Sequence, residues 1–138
     1  MTFIVCEDGS EYTDRFRRFL GDRFTFARAG HFAEALALLP QAAGLLLDLD
    51  FRRTAKSALV DERGAPAPAS AAEVQGILIL RALRGRGVKL PALLFADLDD
   101  AARATRLEAE LAPLRIVSSS EGLPGISLLL RKMDPAGA

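Results

Sequence analysis

Two apolar runs in the sequence end on carboxylates. FIVCEDG, residues 3–9, stops on Glu7 and Asp8, and AGLLLDLDF, residues 43–51, stops on Asp48 and Asp50. A strand covered on both faces has little use for a carboxylate unless its tip serves something. Glu7, Asp8 and Asp48 together would form a hard-oxygen cluster whose mutual repulsion a small divalent cation relieves. Mg²⁺ suits such a place, because it takes one or two carboxylates plus waters and phosphate oxygens. A carboxylate beside that ion can also attack a phosphoryl group. The plainer alternative is that each acid caps the helix following its strand. The acids alone leave both readings open.

The elements that must position these acids can be read along the chain. Five short apolar runs predict strands: Thr2–Cys6, Phe24–Ala27, Gly44–Leu47, Ala92–Ala96 and Leu114–Val117. They are continuous rather than alternating, as parallel strands buried on both faces are. Helical periodicity fills the intervals. SEYTDRFRRFLGDR puts Tyr12, Phe16, Phe19 and Leu20 on one stripe, with Ser10 as N-cap and Gly21 near the stop. HFAEALALLP is short and ended by Pro40. AAEVQGILILRALRGRG carries Val74, Ile77, Leu80 and Leu83 on one face, and LDDAARATRLEAELAP is capped by Asp99 or Asp100. GLPGISLLLRKM is the last helix, before a DPAGA tail over 134–138 that is expected to be disordered. Strand–helix alternation five times over argues a doubly wound α/β sheet, in which function sits beyond the carboxyl ends of the strands. Both acidic tips are carboxyl ends, so they are expected to converge.

One segment breaks the rhythm. Residues 52–72, RRTAKSALVDERGAPAPASAA, join the third strand to the third helix, where connections usually take about 2–6 residues. GAPAPAS reads as flexible or polyproline-like, and KSALVDE as a brief strand or a turn of helix.

Composition narrows the function classes. The 138 residues fit one domain, spanning 1–133, with 50% hydrophobic residues and no tryptophan. Eighteen basic residues balance eighteen acidic ones, so no global field draws nucleic acid or an anionic membrane. No signal segment is present and no apolar run approaches the roughly 18–20 residues of a membrane span, so a cytoplasmic location is expected. The one cysteine, Cys6, lies mid-strand and reads as core packing. His31, the one histidine, follows a glycine at a helix start and reads as a surface or capping residue. There is no Walker loop, no GxGxxG and no assembled nucleophilic triad. SSSEG, residues 118–122, could hold an anion at a helix start, although serines there more often act as caps.

The order of these pieces resembles the receiver domain of bacterial response regulators. FIVCEDG resembles that family's first strand with its acidic pair, and LLLDLD its third strand with the phosphate-accepting aspartate. GILILRALRGRGVKLPALLFA resembles the third helix, the turn and the fourth strand, including Gly76, Arg84 and the Leu90–Pro91 entry. The likeness spans nearly the whole chain outside residues 52–72. With right-handed crossovers, the expected architecture is a flavodoxin-like three-layer sandwich: five parallel strands in the order 2-1-3-4-5, helices on both faces. The resemblance implies that Asp48 is the phosphoacceptor and Asp8 the main direct Mg²⁺ ligand. It makes Glu7 the water-mediated companion and gives the backbone carbonyl of Asp50 the remaining protein ligand.

Departures from the pattern cluster at the output side. The family's Ser or Thr at the end of the fourth strand is Ala96 here. Its Lys-Pro at the end of the fifth is replaced by Ser118 and Ser119, its aromatic three residues earlier by Arg115, and the Pro four residues after the phosphoacceptor by Arg52. Losing that lysine removes a charge-assisted contact worth about 1.5–3 kcal/mol, while Asp97 and Asp50 add negative charge near the site. The expected function is therefore a degenerate, pseudo-receiver-like signalling module that acts through protein–protein contacts as a monomer or weak dimer. It is not expected to be an enzyme or to bind nucleic acid or membrane. The alternative is an active Mg²⁺-dependent phosphoacceptor charged by a histidine kinase, with Arg52, Arg53 or Lys56 replacing the missing lysine. The sequence favours solvated loop charges for those three. A third reading is a small Mg²⁺-dependent phosphatase-like enzyme with Asp48 as nucleophile and Asp50 as acid. No output region is read beyond the last helix, whether the chain stands alone or is an excised domain.

Overall fold

The computed structural model describes residues 1–133; the expected disorder over 134–138 concerns residues outside that range. Strands β1 (Thr2–Cys6), β2 (Thr25–Ala29), β3 (Ala42–Asp48), β4 (Ala92–Phe95) and β5 (Leu114–Val117) alternate with helices α1 (Glu11–Leu20), α2 (Phe32–Leu38), α3 (Gln75–Gly85), α4 (Ala101–Glu110) and α5 (Leu123–Met133). The strands form one sheet in the order β2-β1-β3-β4-β5, every neighbouring pair parallel. This is the expected flavodoxin-like topology.

Alternate side chains of each strand feed two separate layers. Ile4, Cys6, Leu45, Leu47 and Leu94 face α2, α3 and α4, meeting Phe32, Leu80, Leu83 and Leu107. Phe3, Val5, Leu46, Leu93 and Phe95 face α1 and α5, meeting Phe16, Leu20, Ile126 and Leu130. The second layer is rich in aromatics: Phe16 packs on Phe26 and Phe95, and Phe3 on Phe24 and Phe26. The α1 stripe is narrower than its periodicity suggests. Phe16 and Leu20 are buried, Tyr12 is partly covered, and Phe19 is 54% exposed at the outer edge of the stripe.

The 52–72 segment is a packed excursion rather than a flexible loop. It begins next to the fully buried Phe51, turns through a 3-10 helix at Lys56–Ala58, and buries Leu59 and Val60. Val60 forms an antiparallel bridge with Pro66, and a second 3-10 helix at Ala69–Val74 leads into α3. KSALVDE thus supplies both a helical turn and a bridging residue. The polyproline-like stretch is held by the Val60–Pro66 bridge and by Ala67 N–H donating to Leu59 O at 3.1 Å, and Gln75, itself buried, hydrogen-bonds both backbone groups of Val60 at 2.9 Å.

The start of α3 is pressed against the end of β3. Gly76 N–H donates to the Leu49 carbonyl at 3.0 Å, and a Cβ at position 76 would stand 1.9 Å from the Asp48 carbonyl oxygen. Backbone cannot move aside as a side-chain tip can, so glycine is required by the close approach. Gly76→Ala is expected to destabilise the fold by about 1–3 kcal/mol. Gly85→Ala, at an α3 position where a Cβ meets nothing within 4 Å, should be neutral or stabilising by up to about 1 kcal/mol. Urea midpoints for both variants check the pair.

Candidate functional site

The carboxyl ends of β1 and β3 lie side by side, with Cys6 opposite Leu47 in register, so Glu7, Asp8 and Asp48 follow at adjacent tips. Their carboxylates nevertheless take separate partners. Glu7 is buried and turns into the start of α1, where it accepts from Tyr12 N–H (3.1 Å), Thr13 N–H (2.7 Å) and Thr13 Oγ1 (2.6 Å). It therefore does the capping expected of Ser10, which offers α1 no side-chain cap and instead donates to Asp14. A carboxylate at a helix N-terminus is stabilised by the unpaired N–H groups and the helix dipole.

Asp8 is covered by the 52–72 segment. Arg53 N–H donates to Asp8 Oδ2 at 2.9 Å, and the Arg53 guanidinium reaches Asp8 Oδ1 at 3.1 Å and both oxygens of Glu11 at 2.8–2.9 Å. This fork lowers the Glu11 carboxyl pKa and raises that of Arg53 itself. A second guanidinium, from Arg28 at the end of β2, donates to the backbone carbonyls of Glu7, Asp8 and Gly9. Arg52 pairs with Asp50, its Nε 2.9 Å from Oδ2. Arg52 and Arg53 are exposed loop charges, as expected, with side chains 71% and 62% exposed, and each also pairs with an acid of the site. They also do not stand in for a lysine at the end of β5, because their partners are carboxylates on the β1 and β3 side.

Asp48 is left with less. Among the described residues its carboxylate accepts one hydrogen bond, from Leu49 N–H at 2.9 Å. Burial first, then the charges of Asp8, Glu7 and Asp50, push its pKa up to about 6 against the lowering effect of that bond. Tyr12 closes the site from α1. Its ring stacks on Phe95 at 4.9 Å, and burial with the nearby charges of Asp48, Asp97 and Glu7 pushes its hydroxyl up to about 12.

On the β4–β5 side Ala96 is buried and continues the ladder through its N–H to Val117 O at 2.9 Å. Asp97 is engaged by the serines: its carboxylate accepts from Ser118 Oγ (2.9 Å), Ser119 N–H (3.1 Å) and Ser119 Oγ. Those bonds hold its carboxyl below the ordinary range. The serines of SSSEG therefore bind an internal carboxylate rather than a free anion. Arg115 is exposed on β5. His31 caps α2, accepting from Glu34 N–H, and burial pushes the Cys6 thiol up to about 12, which keeps it unreactive.

Two features implied for this site do not assemble as expected. Among the described residues no three His, Cys, Asp or Glu side chains, Glu7, Asp8 and Asp48 included, form a metal-holding group. With Glu7 engaged by α1 and Asp8 by Arg53, this side-chain arrangement does not fit Mg²⁺; the ligand role expected of the Asp50 carbonyl depends on the same ion. The sequence alone assigns no such role to Tyr12, Arg28 or Gln75. A weak signal for Arg28 is its place directly after the apolar run that ends at Ala27.

No protein-family model matches the chain, and no curated protein does. Solved structures do. The receiver domain of a Francisella response regulator superposes with a TM-score of 0.69 at 13% identity, covering 96% of this chain and 94% of that one. A response regulator receiver protein from Pseudoalteromonas atlantica gives 0.68 at 12%, covering 96% of each. An adenylate cyclase from Rhodopirellula baltica gives 0.65 at 12%, covering 96% of this chain and 85% of that one. The chain is similar to these in fold. Among the described residues no helix is long and apolar enough to cross a membrane.

The raised Asp48 pKa has a definite stability consequence. An unfolded aspartate titrates near 3.9 and the folded one at about 6, so the folded state binds more protons between those values. Stability therefore falls as pH rises through that window. Asp48→Asn should remove the loss, standing about 0.5–2 kcal/mol above wild type at neutral pH once solvent screening of a half-buried group is allowed for. Below pH of about 4 this pH-dependent advantage should be gone. Denaturant unfolding of both proteins from acid to neutral pH reads the difference.

Proposed function

We propose that the protein is a receiver-like signal-transduction module that acts through protein–protein contacts, with phosphorylation-driven switching impaired. The receiver fold supports the signalling class. The observation that carries the finer reading is the β4–β5 end, where Ala96 has no hydroxyl to follow a phosphate and Ser118 and Ser119 are tied to Asp97. A modification shifts a conformational equilibrium only by its differential interaction with the two states. With no polar side-chain atom at Ala96 and no ring to bury at Arg115, both parts of the usual shift are missing. The partner, a signalling protein, then reads a constitutive surface: the side formed by α4, β5 and α5, or the 52–72 segment. No catalytic step is assigned to the chain, nor any contact with nucleic acid or membrane, and it is expected as a monomer or weak dimer in the cytoplasm.

A second reading has one observation in its favour. Among the described residues the Asp48 carboxylate carries a single hydrogen bond, which leaves its second oxygen available for attack on a phosphoryl donor such as a histidine kinase. That reading needs Mg²⁺, and Mg²⁺ needs Arg53 to leave Asp8.

The two readings separate by intact mass after incubation with acetyl phosphate and Mg²⁺, with Asp48→Asn as control, and by backbone NMR with beryllofluoride and Mg²⁺. The expected outcome is no phosphoryl adduct, with any NMR shifts confined to the loops around residues 8, 48 and 97. An adduct at Asp48, or shifts spreading through residues 99–117, would establish the phosphoacceptor instead.

A further inference from the structure

We infer that Arg53 is a built-in counter-ion that neutralises the acidic edge of the sheet in place of a divalent metal, and that its pairing with Asp8 and Glu11 holds the 52–72 segment over the site. The Asp8 side chain is only 6% exposed, whereas that of Arg53 is 62% exposed. The charge needing compensation is thus nearly buried, while its partner is delivered from outside by a segment anchored elsewhere. A buried carboxylate without a cation is costly, and Asp8 has both a backbone N–H and a guanidinium from the same residue.

Three further contacts make this a fixed arrangement. The Arg53 terminal nitrogen that reaches Asp8 also reaches both oxygens of Glu11, the first residue of α1, so Arg53 bridges two acids rather than one. Arg28 occupies the carbonyls of residues 7–9 from the β2 side. At the next residue, Thr54 Oγ1 donates to Gly30 O at 3.1 Å, tying the start of the segment to the β2–α2 connection. Gly9 leaves the room this needs, because a Cβ there would stand 2.4 Å from an Arg53 terminal nitrogen and 2.1 Å from a Glu11 oxygen. A dication arriving at Asp8 must displace a guanidinium already forked onto two carboxylates. The site is metal-independent in its resting form and would become metal-binding when Arg53 is removed.

The inference rests on loop geometry and holds whether the protein signals by contact or by phosphate. Mn²⁺ is the probe, followed by paramagnetic broadening of backbone amides in wild type, Arg53→Ala and Arg53→Gln. Wild type is expected to show no site-specific broadening at concentrations that saturate the variants. Both variants should bind Mn²⁺ at least about ten-fold more tightly, with broadening centred on residues 8–9 and 48–50. Arg53→Gln keeps the long stem without the charge, so it reports even if the alanine variant loses its fold. Equal binding by wild type and variants would overturn the inference, as would variants that fold and bind no Mn²⁺. Acetyl phosphate then separates this from the functional reading: a variant that gains Mn²⁺ but no adduct leaves contact signalling in place, and one that gains both makes Arg53 the block on phosphorylation.

Discussion

Parallel strands deliver all their carboxyl ends to one edge, and here two neighbouring ends carry acids. That crowding of negative charge is the constraint around which the upper half of the molecule is organised. Each acid finds a different remedy. Glu7 uses the free N–H groups of α1, Asp8 uses Arg53, and Asp97 uses two serines. Among the described residues Asp48 has only the N–H of its neighbour, and it is held part of the time as the neutral acid near pH 6. The least compensated carboxylate is the one that the family resemblance makes chemically active.

The remedies also determine what can move. Here Asp97 bridges from the end of β4 to Ser118 and Ser119 beyond β5, and Ala96 takes part only through its backbone. Tyr12 packs over Phe95 next to that bridge. The ends of β4 and β5 are thereby joined by side-chain as well as backbone hydrogen bonds.

Much of the fold was legible because its core is segregated along the chain. β1 and β5 fall where continuous apolar runs place them. β2 lies one residue later at its start and two later at its end than the apolar run suggested. It is an edge strand, so it tolerates Arg28, and the N–H of Phe24 belongs to the turn after α1. α3 starts at Gln75 rather than Ala71, since the preceding residues form a 3-10 turn. The acids were legible as residues and not as contacts. Asp8 and Arg53 are 45 positions apart, and no periodicity or local motif encodes a pairing at that distance. Phe19 shows the same limit on a smaller scale: position on a helical stripe does not say how far the neighbouring helix covers it.

Gln75 makes a side-chain amide behave as a strand neighbour. Its oxygen accepts from Val60 N–H and its nitrogen donates to Val60 O, both at 2.9 Å. The two bonds fix which end of the amide is which, because only one orientation satisfies both. Val60 therefore has the paired backbone of a sheet residue while lying in an excursion far along the chain from any strand of the sheet. The amide proton of Val60 can exchange with solvent only when Gln75 lets go, and Gln75 lies in the first turn of α3, flanked by the buried Ala72 and Ile77. The excursion and the start of that helix consequently open as one cooperative unit in hydrogen exchange, rather than the excursion fraying by itself.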